Sequence, residues 1–401
     1  MWWKRRIYLD RAAGMSGNPS SLHEEGRRAK RMLEDARIIV ARLVEVQADD
    51  VIFTSSATES NALAILGHVR ALRALAGPDV PGRNNMHVLY LPSAHASIIE
   101  NMKILEKEGV AVEPLPITDF RVDTALLTKM LRPETVLVSM DAVCGETGVV
   151  WNTREVAGIL KKGYSAPSEK GSAQAAKPMQ HPFSGMASRP LLHVDASQAP
   201  LTEKITRAHF DADMLTFDAS KISEVRGIGV LVAHRTIPLE PLYRGGGQER
   251  GLRAGSESPE LAREFARALA AAVRTHDSFR MHAFAHRARL AKLLTVLIPD
   301  IQIQEGKAQA PHILNLSLPG RDTDYLVTLL DEEGFAVSTR SACETDSEEG
   351  SRAVFFLTGD PARARSTLRV SWGPSTRSRA LMRFAKTLAR AVAFIDNPSR
   401  G

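Results

Sequence analysis

Leu191-Leu192-His193-Val194-Asp195-Ala196-Ser197-Gln198 and the later Asp213-Met214-Leu215-Thr216-Phe217-Asp218-Ala219-Ser220-Lys221 decide how this chain folds. Each contains an apolar run too short for a helix and closed by small or polar residues, the pattern of a buried strand entering a loop. The first delivers a carboxylate, Asp195, and the second an amine, Lys221. An acid leaving one strand and a lysine leaving the next are what pyridoxal phosphate (PLP) chemistry requires. The lysine links to the cofactor, and the acid keeps the pyridine nitrogen protonated. Taken alone, the pair reads more simply as two ordinary polar residues at strand ends, because most lysines are solvated.

Working outward, Val51 to Thr54, His87 to Leu91, Thr135 to Met140 and Gly229 to Ala233 are further strand-like runs. Helical patterns separate the early ones. Apolar residues recur at Met32, Leu33, Ala36, Ile39, Val40 and Leu43, one buried face of a helix. Asn61 to Leu75 and Ile98 to Lys107 read similarly. This alternation predicts an α/β layer with a largely parallel sheet over residues 16–255. From Ser256 the texture changes. Two helices, Pro259 to His276 and Phe279 to Leu297, precede strands at Ile313 to Leu318, Ala336 to Thr339 and Thr367 to Trp372 and a last helix from Ser378 to Phe394. Residues 256–401 thus read as a smaller α+β domain, with residues 1–15 packed on it. Gly163 to Pro190 has no periodicity and reads as a disordered insertion, or as a partner-binding loop.

With 401 residues the chain is too long for one ordinary core. Its net charge, 52 − 46 = +6, is spread along helical patterns, so neither nucleic acid nor a membrane is expected as a partner. Two cysteines, Cys144 and Cys343, argue against a disulfide framework and for a reducing, cytoplasmic setting. Neither a signal peptide nor an apolar run long enough to span a bilayer is legible, and no zinc-ligand spacing occurs.

Four further constellations carry chemistry. Val51 to Asn61 runs from a strand through Ser55-Ser56-Ala57-Thr58 into a helix, where free N–H groups and hydroxyls make a phosphate seat, or where Thr58 is a plain helix cap. His95 follows a strand in Ser93-Ala94-His95-Ala96-Ser97, placed to stack on a flat ring and move protons, or simply to sit at the surface. Cys343 stands in a polar, acidic stretch, where an exposed thiol is a liability unless its chemistry is used, or where it is simply a structural cysteine. Arg369, within an apolar strand, must find an anion, either a substrate carboxylate or a structural partner.

In order, these pieces resemble the cysteine desulfurases, PLP enzymes of the class V aminotransferase group with fold type I. The resemblance runs through Tyr8-Leu9-Asp10, Gly17-Asn18-Pro19-Ser20-Ser21, Thr58-Glu59-Ser60-Asn61, His95, Glu146-Thr147-Gly148, His193 to Gln198, Gly245 to Ser256, Ser341-Ala342-Cys343 and Leu368-Arg369. The long stretch around Cys343 is similar to the iron–sulfur and nitrogen-fixation subgroup. The resemblance implies a mainly parallel seven-stranded sheet sandwiched by helices. It implies that Lys221 binds the cofactor covalently and moves protons, that Asp195 pairs with the ring nitrogen, that Gln198 reaches the ring oxygen, and that His95 stacks and acts as acid and base. Ala57, Thr58, Ser220 and the neighbouring subunit's counterpart of Ser256 would hold the phosphate of a homodimer's cofactor. Arg369 would hold the carboxylate of L-cysteine. Cys343 would take its sulfur as a persulfide, releasing L-alanine, and pass it to an acceptor or iron–sulfur scaffold protein, with a transient iron–sulfur contact at Cys343.

Three departures stand out. The segment Arg11 to Ser16 replaces a longer connection that walls the substrate site in the family. Val143-Cys144-Gly145-Glu146 lacks an asparagine of the family's turn, and Cys144 reads as a small buried residue or a second thiol near the ring. Asp218-Ala219-Ser220-Lys221 replaces serine by aspartate where the phosphate belongs. A carboxylate about 5 Å from one phosphate charge costs roughly 3 kcal/mol at an effective dielectric of about 20, or about a hundredfold in affinity. A catalytically impaired dimer that binds a partner, a selenocysteine lyase and an aminotransferase are the alternative readings.

Overall fold

The apolar runs become strands. The computed structural model describes residues 6–76, 85–163, 189–339 and 350–397. Its strands are β1 (Val51–Thr54), β2 (His87–Tyr90), β3 (Ala111–Pro114), the hairpin β4 (Ile117–Thr118) and β5 (Arg121–Val122), β6 (Thr135–Asp141), β7 (Leu191–Asp195), β8 (Met214–Asp218), β9 (Gly229–Ala233), β10 (Gln302–Ile303), β11 (Ile313–Ser317) and β12 (Thr367–Ser371). Seven form one sheet in the order β1-β9-β8-β7-β6-β2-β3. Neighbours from β8 to β3 pair in parallel, and β9 runs antiparallel to both β1 and β8. The expected α/β class and seven-stranded, mainly parallel sheet are therefore found. Strands β6, β7 and β9 are buried along their whole length, as a sheet covered on both faces requires.

The register pairs Asp195 with Thr216, so β7 and β8 end at one edge, and Asp195 and Lys221 leave that edge together. Ligand crevices of open α/β sheets lie outside the carboxyl ends of the strands. His193, fully buried in β7, spans three strands: Nδ1 meets Ser139 Oγ on β6 at 2.8 Å and Nε2 meets Thr216 Oγ1 on β8 at 3.0 Å. Burial pushes its pKa down to about 4, so it is a neutral strut behind the acid that ends its strand.

Three details depart from the sequence reading. Strand β3 was not legible, because this edge strand is partly or fully exposed throughout and shows no apolar run. The two helices expected on either side of Asp277-Ser278 are one helix, Pro259–Leu297. Its first half, with Ala262, Phe265 and Leu269, packs on the core of the large sheet. Its second half, with Phe279, Ala283, Leu290 and Leu294, belongs to a separate core beside β10, β11, β12 and the helix Ser378–Asp396. The polar interruption at Asp277-Ser278 marks the change of partner rather than an end of helix. The strand expected at Ala336 to Thr339 is reduced to one bridge, between Ser338 and Arg369.

Of the expected insertion Gly163 to Pro190, residues 164–188 lie outside the described residues, as does Cys343; Gly163 ends the helix Thr153–Gly163 and Arg189 pairs with Asp213. Hydrogen bonds of residues 6–15 run to Asn18, Ser21 and Glu25 at the entry of helix Glu24–Val44, and Asp10 also meets His23. The segment around Gln248 to Gly251 is pinned by a buried ion pair. Glu249 takes two hydrogen bonds from Arg37, at 2.7 and 2.8 Å, and one from the Phe53 N–H at 2.9 Å. These bonds hold Glu249 and Arg250 at positive φ, 47° and 62°, which non-glycine residues seldom adopt.

Candidate active site

Asp195 ends β7 and is buried with both oxygens engaged. Oδ1 accepts the Ser197 N–H at 2.9 Å and Oδ2 accepts Asn61 Nδ2 at 2.7 Å. The same Asn61 amide donates to Ser97 Oγ at 2.8 Å. Ser97 Oγ in turn lies 2.8 Å from His95 Nδ1, which also accepts the Ser97 N–H at 3.2 Å. An accepting Nδ1 places the ring proton on Nε2. Asn61 therefore orients the acid at the end of β7 and the histidine beside helix Ala96–Lys107 through one side chain.

A cavity of about 130 Å³ collects His95, Asp141, Cys144, Gln198, Lys221 and Arg369. A second, about 400 Å³, continues past Lys221 and Arg369 to Ser220, His312 and Trp372. Arg369 projects from β12 and donates to the Gly145 carbonyl at 3.2 Å; no carboxylate pairs with it among the described residues. It is thus placed to receive an anion from the cavity. Gly145 stands where the turn lacks its asparagine, and a Cβ there would come within 2.9 Å of Gln198 Nε2. Gln198 therefore fills the space a side chain at 145 would take.

Two polar groups in the cavity wall were not singled out from sequence. Asp141, at the end of β6, is buried with Oδ1 unpartnered, and burial followed by the charge of Asp195 pushes its pKa up to about 8. Arg352 reaches the wall from helix Arg352–Thr358 and donates to the Ala94 carbonyl. Cys144 is buried, and burial followed by Asp141 pushes its thiol up to about 12, which leaves it neutral.

The other end of the site is built differently. Ser56, not Thr58, caps the helix that starts at Ala57, and that helix runs on through a wide turn at Leu63–Gly67 to His68–Ala76. Asp218 ends β8 facing this start. Its Oδ2 accepts the Ala57 N–H at 2.8 Å, and its Oδ1 accepts the Ser220 N–H at 2.8 Å and the Ser220 hydroxyl at 2.6 Å. The approach is possible because Gly229, opposite Asp218 on β9, has no side chain; a Cβ there would meet Ser56 C at 2.4 Å. Thr58 and Ser256 are exposed and line neither cavity.

Residues 8–188 and 185–381 match the family described as aminotransferase class-V. A NifS/IcsS protein homolog of Lactobacillus delbrueckii subsp. bulgaricus is 34% identical, over 90% of this chain and 86% of its own. The mitosomal cysteine desulfurase of Encephalitozoon cuniculi is 32% identical, over 94% and 80%. The chain belongs to the class-V aminotransferase family, in its cysteine desulfurase group. A solved NifS-like protein superposes on this cysteine desulfurase homologue with a TM-score of 0.79, at 25% identity over 94% of this chain and 92% of that one.

Family membership implies PLP, and the residues answer differently at its two ends. Asp195, buried and held by Asn61, and Lys221, open to both cavities, suit a protonated pyridine ring and its covalent link. The phosphate end does not fit as it stands: the Ala57 N–H and the Ser220 hydroxyl, the donors expected for phosphate, already bond to Asp218. Among the described residues no group of three or more His, Cys, Asp or Glu side chains gathers to hold a metal.

Proposed function

We propose that this chain is a cysteine desulfurase that removes sulfur from L-cysteine, leaves L-alanine, and passes the sulfur on for iron–sulfur cluster or thio-cofactor assembly. The carrying observation is that Lys221, His95, Gln198 and Arg369 line one cavity while Asp195 is tied to His95 through Asn61 and Ser97. A pyridoxal ring held there supplies an electron sink for bonds at the substrate's α-carbon. The protein supplies the rest. Arg369 receives the substrate carboxylate in place of its carbonyl contact, a bidentate capture that fixes the α-carbon near Lys221. Lys221, at the cavity's edge, and His95, with its proton on Nε2, carry protons to and from the substrate.

Cys343 is the proposed nucleophile. Its sulfur attacks the substrate sulfur, the substrate C–S bond breaks, and a persulfide remains on Cys343 as alanine leaves. The acidic sequence around it, Glu344 to Glu349, does not favour the thiolate, so the proton must pass to a group arriving with the substrate. A homodimer in which Ser256 reaches the neighbouring site, and a reducing cytoplasmic setting, complete the reading. Among the described residues no helix is long and apolar enough to cross a membrane.

The test is an assay of alanine and sulfide from L-cysteine with the cofactor supplied and a thiol reductant present to release the persulfide sulfur as sulfide. Cys343→Ala is expected to abolish persulfide labelling and to lower sulfide release at least tenfold. Unchanged sulfide release would remove the persulfide role. 3-Mercaptopyruvate formed when a 2-oxo acid is supplied, with neither alanine nor sulfide from L-cysteine, would point to aminotransfer instead.

A further inference from the structure

We infer that Asp218 occupies the phosphate subsite, so that the site prefers a pyridoxal ring with an uncharged 5′ substituent over the phosphate ester. The inference rests on the cofactor reading above and concerns only which form of the ring the protein takes.

An anion seat at the start of a helix has few donors, and each used internally is lost to a ligand. Here one carboxylate takes three of them: the Ala57 N–H, the Ser220 N–H and the Ser220 hydroxyl. The arrangement is built into the backbone. Asp218 is the last residue of β8, its side chain caps the turn Ala219–Lys221, and Gly229 opens the space through which the Ala57 helix reaches it. An entering phosphate must displace a satisfied carboxylate or stand against its charge. A hydroxymethyl group has the opposite relation to Asp218, because its O–H can donate to the carboxylate without disturbing the donors already in use. Asp218 is then a specificity determinant, and the change from serine at this position alters the ligand rather than merely weakening the site.

The full-length protein is titrated separately with PLP and with pyridoxal, following visible absorbance of the lysine-bound ring, in the wild type, Asp218→Ser and Asp218→Asn. Wild-type protein is expected to bind pyridoxal at least as tightly as PLP. Asp218→Ser is expected to tighten PLP on the order of a hundredfold and to weaken pyridoxal, whose O–H loses its charged acceptor. Asp218→Asn, which keeps an accepting oxygen and loses the charge, falls between. If both forms bind, PLP is preferred in the wild type and Asp218→Ser changes neither, this inference fails while the cofactor reading stands. If neither form binds any of the three proteins, the cofactor reading fails and takes the inference with it. Should Asp218→Ser not fold, the wild-type preference decides alone: tighter PLP overturns the inference.

Discussion

Asp195 and Asp218 end neighbouring strands of one sheet and do opposite things. Asp195 is buried, held by Asn61 and Ser197, and linked through Asn61 to His95. Its carboxylate is oriented but keeps acceptor capacity for a ring nitrogen. Asp218 is half-buried and spends its oxygens on the helix start and on Ser220. On the proposed reading, the reacting end of the site is kept and the anion end altered, within two adjacent strands, so that what the cofactor does and how it is moored are set by different residues.

The comparison breaks first at Lys221. Lys221→Ala is expected to lower sulfide release on the order of 10²–10⁴-fold, since it removes a proton carrier as well as the covalent link. It is also expected to abolish visible absorbance with either form of the ring. Absorbance that survives would move the link to another amine.

Asn61 sharpens the kept end. Asn61→Ala leaves an oxygen of buried Asp195 without its donor, a cost of about 1–3 kcal/mol, or roughly tenfold to a hundredfold in affinity for the ring. Because Asn61 also orients Ser97 against His95, the pH profile of turnover should shift. A fall in thermal stability with ring affinity and pH profile untouched would make Asn61 structural only.

The smallest effect tests the burial of Asp141. Its folded pKa stands near 8 against 3.8 for the free group. Between those values the unfolded chain holds fewer protons than the folded one, so this residue makes stability fall as pH rises. Asp141→Asn is expected to raise Tm over wild type by a margin that grows from pH 4 to pH 8, about 2–4 °C for each kcal/mol gained. A margin independent of pH would mean that Asp141 is ionised in the folded protein.

Sequence showed much of the fold because buried strands of a parallel sheet are continuous apolar runs, as in Leu191 to Val194. Edge strand β3 lacks that signal, and the unity of Pro259–Leu297 was hidden because its buried face serves two cores in turn. At the site, Lys221, Asp195, His95, Gln198 and Arg369 were legible because each sits in a short sequence motif, Asp195 and Gln198 in the same one. Asn61 lay inside such a motif, but its double hydrogen bond joins residues far apart in the chain. Asp141 reads as an ordinary polar residue until the packing buries it. Asp218 was visible as a charge in the wrong place; that it takes up the donors of Ala57 and Ser220 follows only from the packing of β8 and β9 against the helix start.

The most direct measurement offers the wild-type protein equal concentrations of PLP and pyridoxal, reduces with borohydride and weighs the peptide carrying Lys221. The pyridoxyl mass is expected to dominate in the wild type and the phosphopyridoxyl mass in Asp218→Ser. A phosphopyridoxyl mass dominating in the wild type would contradict the role given to Asp218, and no mass added at Lys221 in either protein would contradict the site.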